Sequence, residues 1–245
     1  MDNESAVEGR NTVIEALRAG VAIDKIFIVN EEQDQTLKYI AAAARKAGVT
    51  VVHADRRKLD SMSSTHSHQG VIAVAACTST VTVEDILETA RNKAEEPLIM
   101  ICDEISDPHN LGAIIRTCEA SGAHGVIIAK RRSAGLTPTV AKASSGAVYH
   151  TDIARVTNIS AVIDKLKKTG VWVFGAVMDG ATPLWEADFK GPAAIVIGSE
   201  GAGISRLVRE KCDFSVSIPM YGQLSSLNAS VSAAIILYEA VRQRR

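Results

Sequence analysis

Five apolar runs, at 98–102, 125–129, 171–176, 193–198 and 214–218, constrain the fold of this chain more than any other feature. Helix-like stretches separate them. Strands that are apolar on both faces and alternate with helices form a parallel sheet covered on both sides, so the expected class is α/β. The first part of the chain alternates too, with helix at 11–19, strand at 25–29, helix at 33–46 and strands at 49–53 and 71–76, enough to close a small α/β unit. Between the two, the chain runs from Thr80-Val81-Thr82-Val83 through a polar helix to Glu95-Glu96-Pro97. That change of character predicts an N-terminal domain at 1–78, a linker at 79–96 and a C-terminal domain at 97–245. Residues 133–137 read as a loop, with Pro138 placed to start a helix through Ala143.

Composition narrows the function classes. With 47% hydrophobic and 22% charged residues the chain is not a disordered one, and 27 Lys plus Arg against 28 Asp plus Glu exclude a broad polycationic surface. Nucleic-acid contact would have to be local, at Arg56-Arg57-Lys58, Lys130-Arg131-Arg132 or the tail from Arg242 to Arg245. Cys77, Cys102, Cys118 and Cys212 have no paired spacing of the zinc or redox kind, and the first three sit beside apolar residues. The acidic start, with Asp2, Glu4 and Glu8, lacks a signal pattern, and no apolar run has the length of a membrane span, so a reduced cytoplasmic protein is expected.

Three polar junctions stand out. In the first, Asp107-Pro108-His109-Asn110-Leu111-Gly112 opens a helix whose apolar stripe is Leu111, Ile114, Ile115 and Cys118, with Arg116 on the other side. Asn110 sits where an N-cap belongs, and Gly122 closes the helix. A helical Gly costs roughly 1 kcal/mol relative to Ala, so Gly112, one turn before Arg116, calls for another backbone or a ligand close by.

In the second, the segment from Gly198 to Gly203 follows an apolar strand. It fits neither common nucleotide motif: the third Gly of a dinucleotide fingerprint is replaced by Arg206, and the Lys of a P-loop by Ile204. What remains is a backbone-exposing turn with one carboxylate, Glu200, at the carboxyl end of a strand, where open α/β sheets bind ligands. In the third, Ile218-Pro219-Met220-Tyr221-Gly222 leads into Ser226-Leu227-Asn228-Ala229-Ser230 and an apolar helix. Ser226 or Asn228 is the expected cap, and the helix mouth gathers free N–H groups suited to a polar ligand.

In this order the three segments resemble the motifs of the SpoU/TrmH branch of the SPOUT superfamily, the knotted RNA ribose 2'-O-methyltransferases. Glu8-Gly9-Arg10-Asn11 and His68-Gln69-Gly70-Val71 are similar to the N-terminal substrate-binding domain of the ribosomal-RNA members. Periodicity alone predicts an ordinary doubly wound sheet; the resemblance implies a deep trefoil knot in the C-terminal domain. It also implies S-adenosyl-L-methionine as cofactor, with Gly198, Ile218, Met220 and Leu227 in its pocket. Asn110, Arg116, Glu200, Ser226 and Asn228 are the implied catalytic group, with Arg116 central.

A guanidinium stays protonated at ordinary pH, so Arg116 suits a phosphate clamp that orients the 2'-hydroxyl better than a general base. The resemblance further implies a homodimer joined through the catalytic domains, with Arg116 serving the partner's cofactor, and a guanosine of large-subunit ribosomal RNA as target. Transfer RNA is the rival substrate, and a non-catalytic RNA-binding protein the rival class. No metal is required: the polar loop of His66, His68 and Gln69, with His53, Asp55 and Asp60 upstream, has no recognised ligand spacing. Aromatic residues are 4% of the chain, so phosphate and shape contacts should dominate over base stacking.

Overall fold

The computed structural model describes residues 6–18, 20–30, 34–63, 67–76, 78–178 and 181–245; His66 and Cys77 lie outside them. The chain forms two compact units, one of Met1–Ser79 with Gly135–Thr139 and one of Thr80–Ala134 with Val140–Arg245.

The first unit carries β1 (Ala6–Glu8), α1 (Arg10–Arg18), β2 (Ile23–Val29), α2 (Gln35–Lys46), β3 (Thr50–Ala54), α3 (Arg56–Met62) and β4 (Val71–Ala75). Its sheet has the order β1-β4-β2-β3, with β4 antiparallel to both neighbours and β2 parallel to β3. Leu37, Ile40, Ala41 and Ala44 recur at helical spacing and bury one face of α2 against Ile26 and Ile28 of β2. The Asp34 carboxylate starts that helix by accepting from the N–H groups of Thr36 and Leu37, and Asp55 does the same for α3 through Lys58.

The second unit begins with α4 (Val83–Asn92), which lies in the expected linker. Thr82 and Asp85 form a capping box at its start, and Val83, Ile86, Leu87 and Ala90 turn inward; the first three join one core with Ile99 and Ile101. The polar helix of that segment is thus an amphipathic layer of the sheet. There follow β5 (Leu98–Asp103), α5 (Pro108–Ser121), β6 (Gly125–Ala129), α6 (Pro138–Ala143), β7 (Ile153–Val156), α7 (Ile159–Lys168), β8 (Trp172–Ala176), β9 (Thr182–Pro183), β10 (Ala193–Gly198), α8 (Arg206–Arg209), β11 (Phe214–Ser217) and α9 (Ala229–Arg244).

The sheet order is β7-β6-β5-β10-β8-β11-β9, and every pairing is parallel. All six residues of β5 are buried, as a central strand with helices on both faces requires. Because the strands are parallel, the carboxyl ends of β5, β8, β10 and β11 open on one edge. Cys102 and Cys118 are packed as small hydrophobes in this unit, and burial pushes the Cys102 thiol up to about 12 and the Cys118 thiol well above its ordinary value. No helix among the described residues is long and apolar enough to cross a membrane.

Candidate active site

At the carboxyl edge of the sheet three segments far apart in sequence converge. Asp107, rather than Asn110, caps α5: its carboxylate accepts from the His109 N–H at 3.0 Å, and Pro108 occupies the first helical position, where its missing N–H costs nothing. The expected cap at Asn110 is therefore displaced into the first turn, which frees its side-chain amide. Asn110 Nδ2 donates to Glu200 Oε1 at 3.1 Å, and its Oδ1 accepts from Asn228 Nδ2 at 2.9 Å. Asn228 Nδ2 also donates to the same Glu200 oxygen, while Asn228 Oδ1 caps α9 by accepting from the N–H groups of Ser230 and Val231. One amide thus starts the last helix and closes a ring of Asn110, Glu200 and Asn228.

The loop carrying Glu200 is folded tightly. Gly203 takes φ 66°, and its N–H donates to the Ser199 carbonyl at 2.8 Å. A Cβ on Gly198 would stand 2.0 Å from the Gly203 carbonyl carbon, so only Gly fits where the loop returns on its own strand. Asp103, buried at the end of β5, fastens the far side of the loop by accepting from the Ser205 N–H at 2.7 Å. A charged residue closing an otherwise apolar strand is the signal that could have singled it out.

Beside this ring lies a pocket of about 200 Å³ beyond β8, β10 and β11. Gly198, Ile218, Met220 and Leu227 all line it, as do Glu200 and Ser226; Ser226 is exposed and outside the hydrogen-bonded ring. Ile197, Val216 and Ile236 add apolar lining, and Ser199, Glu200, Ser225, Ser226 and Ser232 are its polar residues beside Arg209. Val177, Met178 and Arg209 also face it and belong to none of the three motifs. Apolar walls with a few convergent polar groups suit a flat heterocycle bearing a polar tail.

Arg116 is not brought into the ring. It is exposed on α5, and among the described residues no group pairs with its guanidinium. Gly112 has its reason nearby: a Cβ there would stand 2.5 Å from the Ala143 Cβ and 3.0 Å from the Ser144 nitrogen. Another backbone, the end of α6, takes the space.

In the first unit the two motif segments hold each other. The Arg10 N–H donates to Gln69 Oε1 at 3.1 Å and Arg10 Nε to the Gln69 carbonyl at 3.0 Å, while the guanidinium pairs with Asp34. His68 is buried; its Nδ1 accepts from the Gly70 N–H at 3.0 Å, which leaves the proton on Nε2 to donate to Asp60. Gln69 and Gly70 both take positive φ, and a Cβ on Gly70 would stand 2.8 Å from Val29 Cγ1. Arg10, Arg56, Gln69 and Gly70 line a shallow cleft on this unit.

Comparison with known proteins agrees with this layout. The model of the SpoU rRNA Methylase family matches residues 97–238, and that for RNA 2'-O ribose methyltransferase substrate binding matches residues 6–78. YacO of Bacillus subtilis (strain 168), named for the TrmH family of tRNA/rRNA methyltransferases, is 44% identical over 97% of this chain and 95% of its own length. Among solved structures, the SpoU methyltransferase AviRb from Streptomyces viridochromogenes, in complex with AdoMet, superposes with a TM-score of 0.61 at 27% identity, covering 98% of this chain and 90% of that one. A TrmH/SpoU tRNA modifying enzyme from A. aeolicus gives a TM-score of 0.56 at 32% identity over 66% of this chain and 83% of its own. With a family model spanning more than half of its residues and a relative of this identity along nearly its whole length, the chain belongs to the SpoU/TrmH family of RNA 2'-O-ribose methyltransferases.

Proposed function

We propose that the protein transfers a methyl group from S-adenosylmethionine to the 2'-hydroxyl of a guanosine in large-subunit ribosomal RNA. The observation that carries the reading is the ring of Asn110, Glu200 and Asn228 at the lip of an apolar pocket on the carboxyl edge of the sheet. The pocket residues fit this cofactor: Ile218, Leu227 and Met220 offer apolar surface to a purine, and the backbone of the Gly198–Gly203 turn offers polar groups to its edge and sugar. When bound, the sulfonium supplies an already activated methyl group, so the chain's work is alignment and the handling of one proton. Asn110 and Asn228 hold the Glu200 carboxylate toward the pocket mouth, and Ser226 offers its hydroxyl to the incoming ribose. Arg116 clamps a substrate phosphate and orients the 2'-hydroxyl, whose proton leaves to that phosphate or to water.

Arg116 stands six residues after Asn110, about 9 Å along α5 and roughly 240° around it. It faces away from the ring of its own chain, which supports a homodimer joined through the catalytic units in which Arg116 serves the partner's pocket. We assign residues 1–78 to RNA binding and 97–245 to catalysis, with α4 of the joining segment built into the catalytic unit. The knot is part of the same proposal; its support is that β10 inserts between β5 and β8, and that α9 comes back from β11 to pack on α5. The description of the methylase family by its rRNA members supports ribosomal RNA over transfer RNA.

The test is methyl transfer from labelled cofactor to protein-free ribosomal RNA and, in parallel, to unmodified transfer RNA, with Arg116→Ala as control. Alkali-resistant label in large-subunit RNA is the expected result. Label in transfer RNA alone would move the substrate and keep the chemistry, whereas label in neither would refute the reading.

A further inference from the structure

We propose that Arg209 anchors the carboxylate of the cofactor's amino-acid tail, an inference that rests on the S-adenosylmethionine reading above. Among the described residues that line the pocket, two carry charge, Glu200 and Arg209. Glu200 is engaged by Asn110 and Asn228. Arg209 is exposed at the end of α8, and its nearest acid in sequence, Glu210, is taken by Arg206 at 3.0 Å. Among the described residues nothing holds the Arg209 guanidinium. An arginine on a pocket wall with no partner of its own is available to whatever fills the pocket.

The residue is presented from a fixed platform. Val208 is buried in the sheet's core, the Arg209 N–H donates to the Ser205 carbonyl at 2.9 Å, and the Arg209 carbonyl accepts from the Cys212 N–H at 3.2 Å. Ser205 is in turn tied to Asp103. The backbone of Arg209 therefore starts from a defined point, and a bound ligand has only its side chain left to order.

Chemistry selects the pairing. S-adenosylmethionine carries a sulfonium and an ammonium, and its one anionic group is the tail carboxylate. A guanidinium meets a carboxylate through two parallel N–H donors, a geometry that neither the cofactor's adenine, with a donor beside its N7 acceptor, nor its sulfonium offers. Glu200 and Arg209 thus give the pocket one charge of each sign for a ligand that has both.

The test is calorimetric binding to the full-length protein of S-adenosylmethionine and of its decarboxylated analogue, which keeps the sulfonium and ammonium and lacks only the carboxylate. Arg209→Gln should raise the Kd for S-adenosylmethionine about tenfold and leave that for the analogue within about twofold; Arg209→Lys should fall between. Equal weakening of both ligands would mean that Arg209 shapes the pocket instead, and an unchanged Kd for S-adenosylmethionine would mean that it does not meet the tail. Either result overturns the proposal. If the wild-type protein binds neither ligand, the cofactor reading itself fails and takes this inference with it.

Discussion

The two ends of the Asn228 amide serve different structures, and substitution can separate them. Oδ1 caps α9 through Ser230 and Val231, at 2.9 and 3.3 Å, while Nδ2 donates to Asn110 and Glu200. Asn228→Ser keeps a capping oxygen and loses both Nδ2 bonds; Asn228→Ala loses everything. A cap of this kind contributes about 1 kcal/mol, and Ser ranks with Asn as a cap. Both variants lose the Nδ2 bonds, so the cap shows in their difference: for a chain of this size Asn228→Ala should melt about 2–4 °C below Asn228→Ser. The Nδ2 bonds contribute about 1 kcal/mol each at this exposed position. If both are needed to hold the reacting geometry, their loss slows methyl transfer about 30-fold. Thermal melts paired with single-turnover transfer at saturating cofactor measure both quantities. Wild-type turnover by Asn228→Ser would show that the ring is no part of the catalytic geometry, and a melt as low as that of Asn228→Ala would show that Oδ1 is not the cap.

Arg116→Lys should fail nearly as badly as Arg116→Ala in turnover while both melt like the wild type, because the exposed guanidinium has no partner among the described residues and its planar fork is what a phosphate needs; near-normal turnover by the Lys variant would sink the clamp. Mixing Arg116→Ala chains with Asn228→Ser chains, each impaired alone, should raise activity above the sum of the two if Arg116 serves the partner's pocket, and no gain in verified mixed dimers would place it in its own. Gly112→Ala puts a Cβ 2.5 Å from that of Ala143; overpacking of about 1–3 kcal/mol exceeds the helix-propensity gain of about 1 kcal/mol, so the melt should drop, and a rise would mean that the end of α6 retreats freely. Burial holds the pKa of His124 below the ordinary 6.5 against the opposing pull of Glu95, and its Nδ1 accepts the Leu98 N–H, a bond that protonation would break. The unfolded chain then takes up the proton first, so stability is full above pH 6.5 and declines as pH falls below it. Replacing His124 with Gln should flatten that decline below pH 6.5, and equal slopes would contradict the assignment.

What could be read from the sequence divides along the range of the interactions involved. The central strands, the Gly122 stop and the Pro138 start are local, and the chain shows them as expected. The two-residue strand β9 exists only through its pairing with β11, and β7, four residues long with Arg155 inside it, does not stand out from a loop. At α4 the apolar stripe is visible at 83, 86, 87 and 90, but overall polarity hides it unless position is weighed before composition. Asn110 shows how two local signals compete: Asp107 followed by Pro108 is the stronger helix start, and because it wins, Asn110 has an amide to spare. The partners of that amide lie 90 and 118 residues away, a distance over which no spacing rule operates, and family resemblance alone had grouped the three residues. Arg209 belongs to neither kind, since it carries no motif, cap or turn. It gains meaning only once the fold puts it on the pocket wall and Arg206 has taken the neighbouring acid. A cation left without a partner beside an apolar pocket is a property of the folded chain, and a motif search has no term for it.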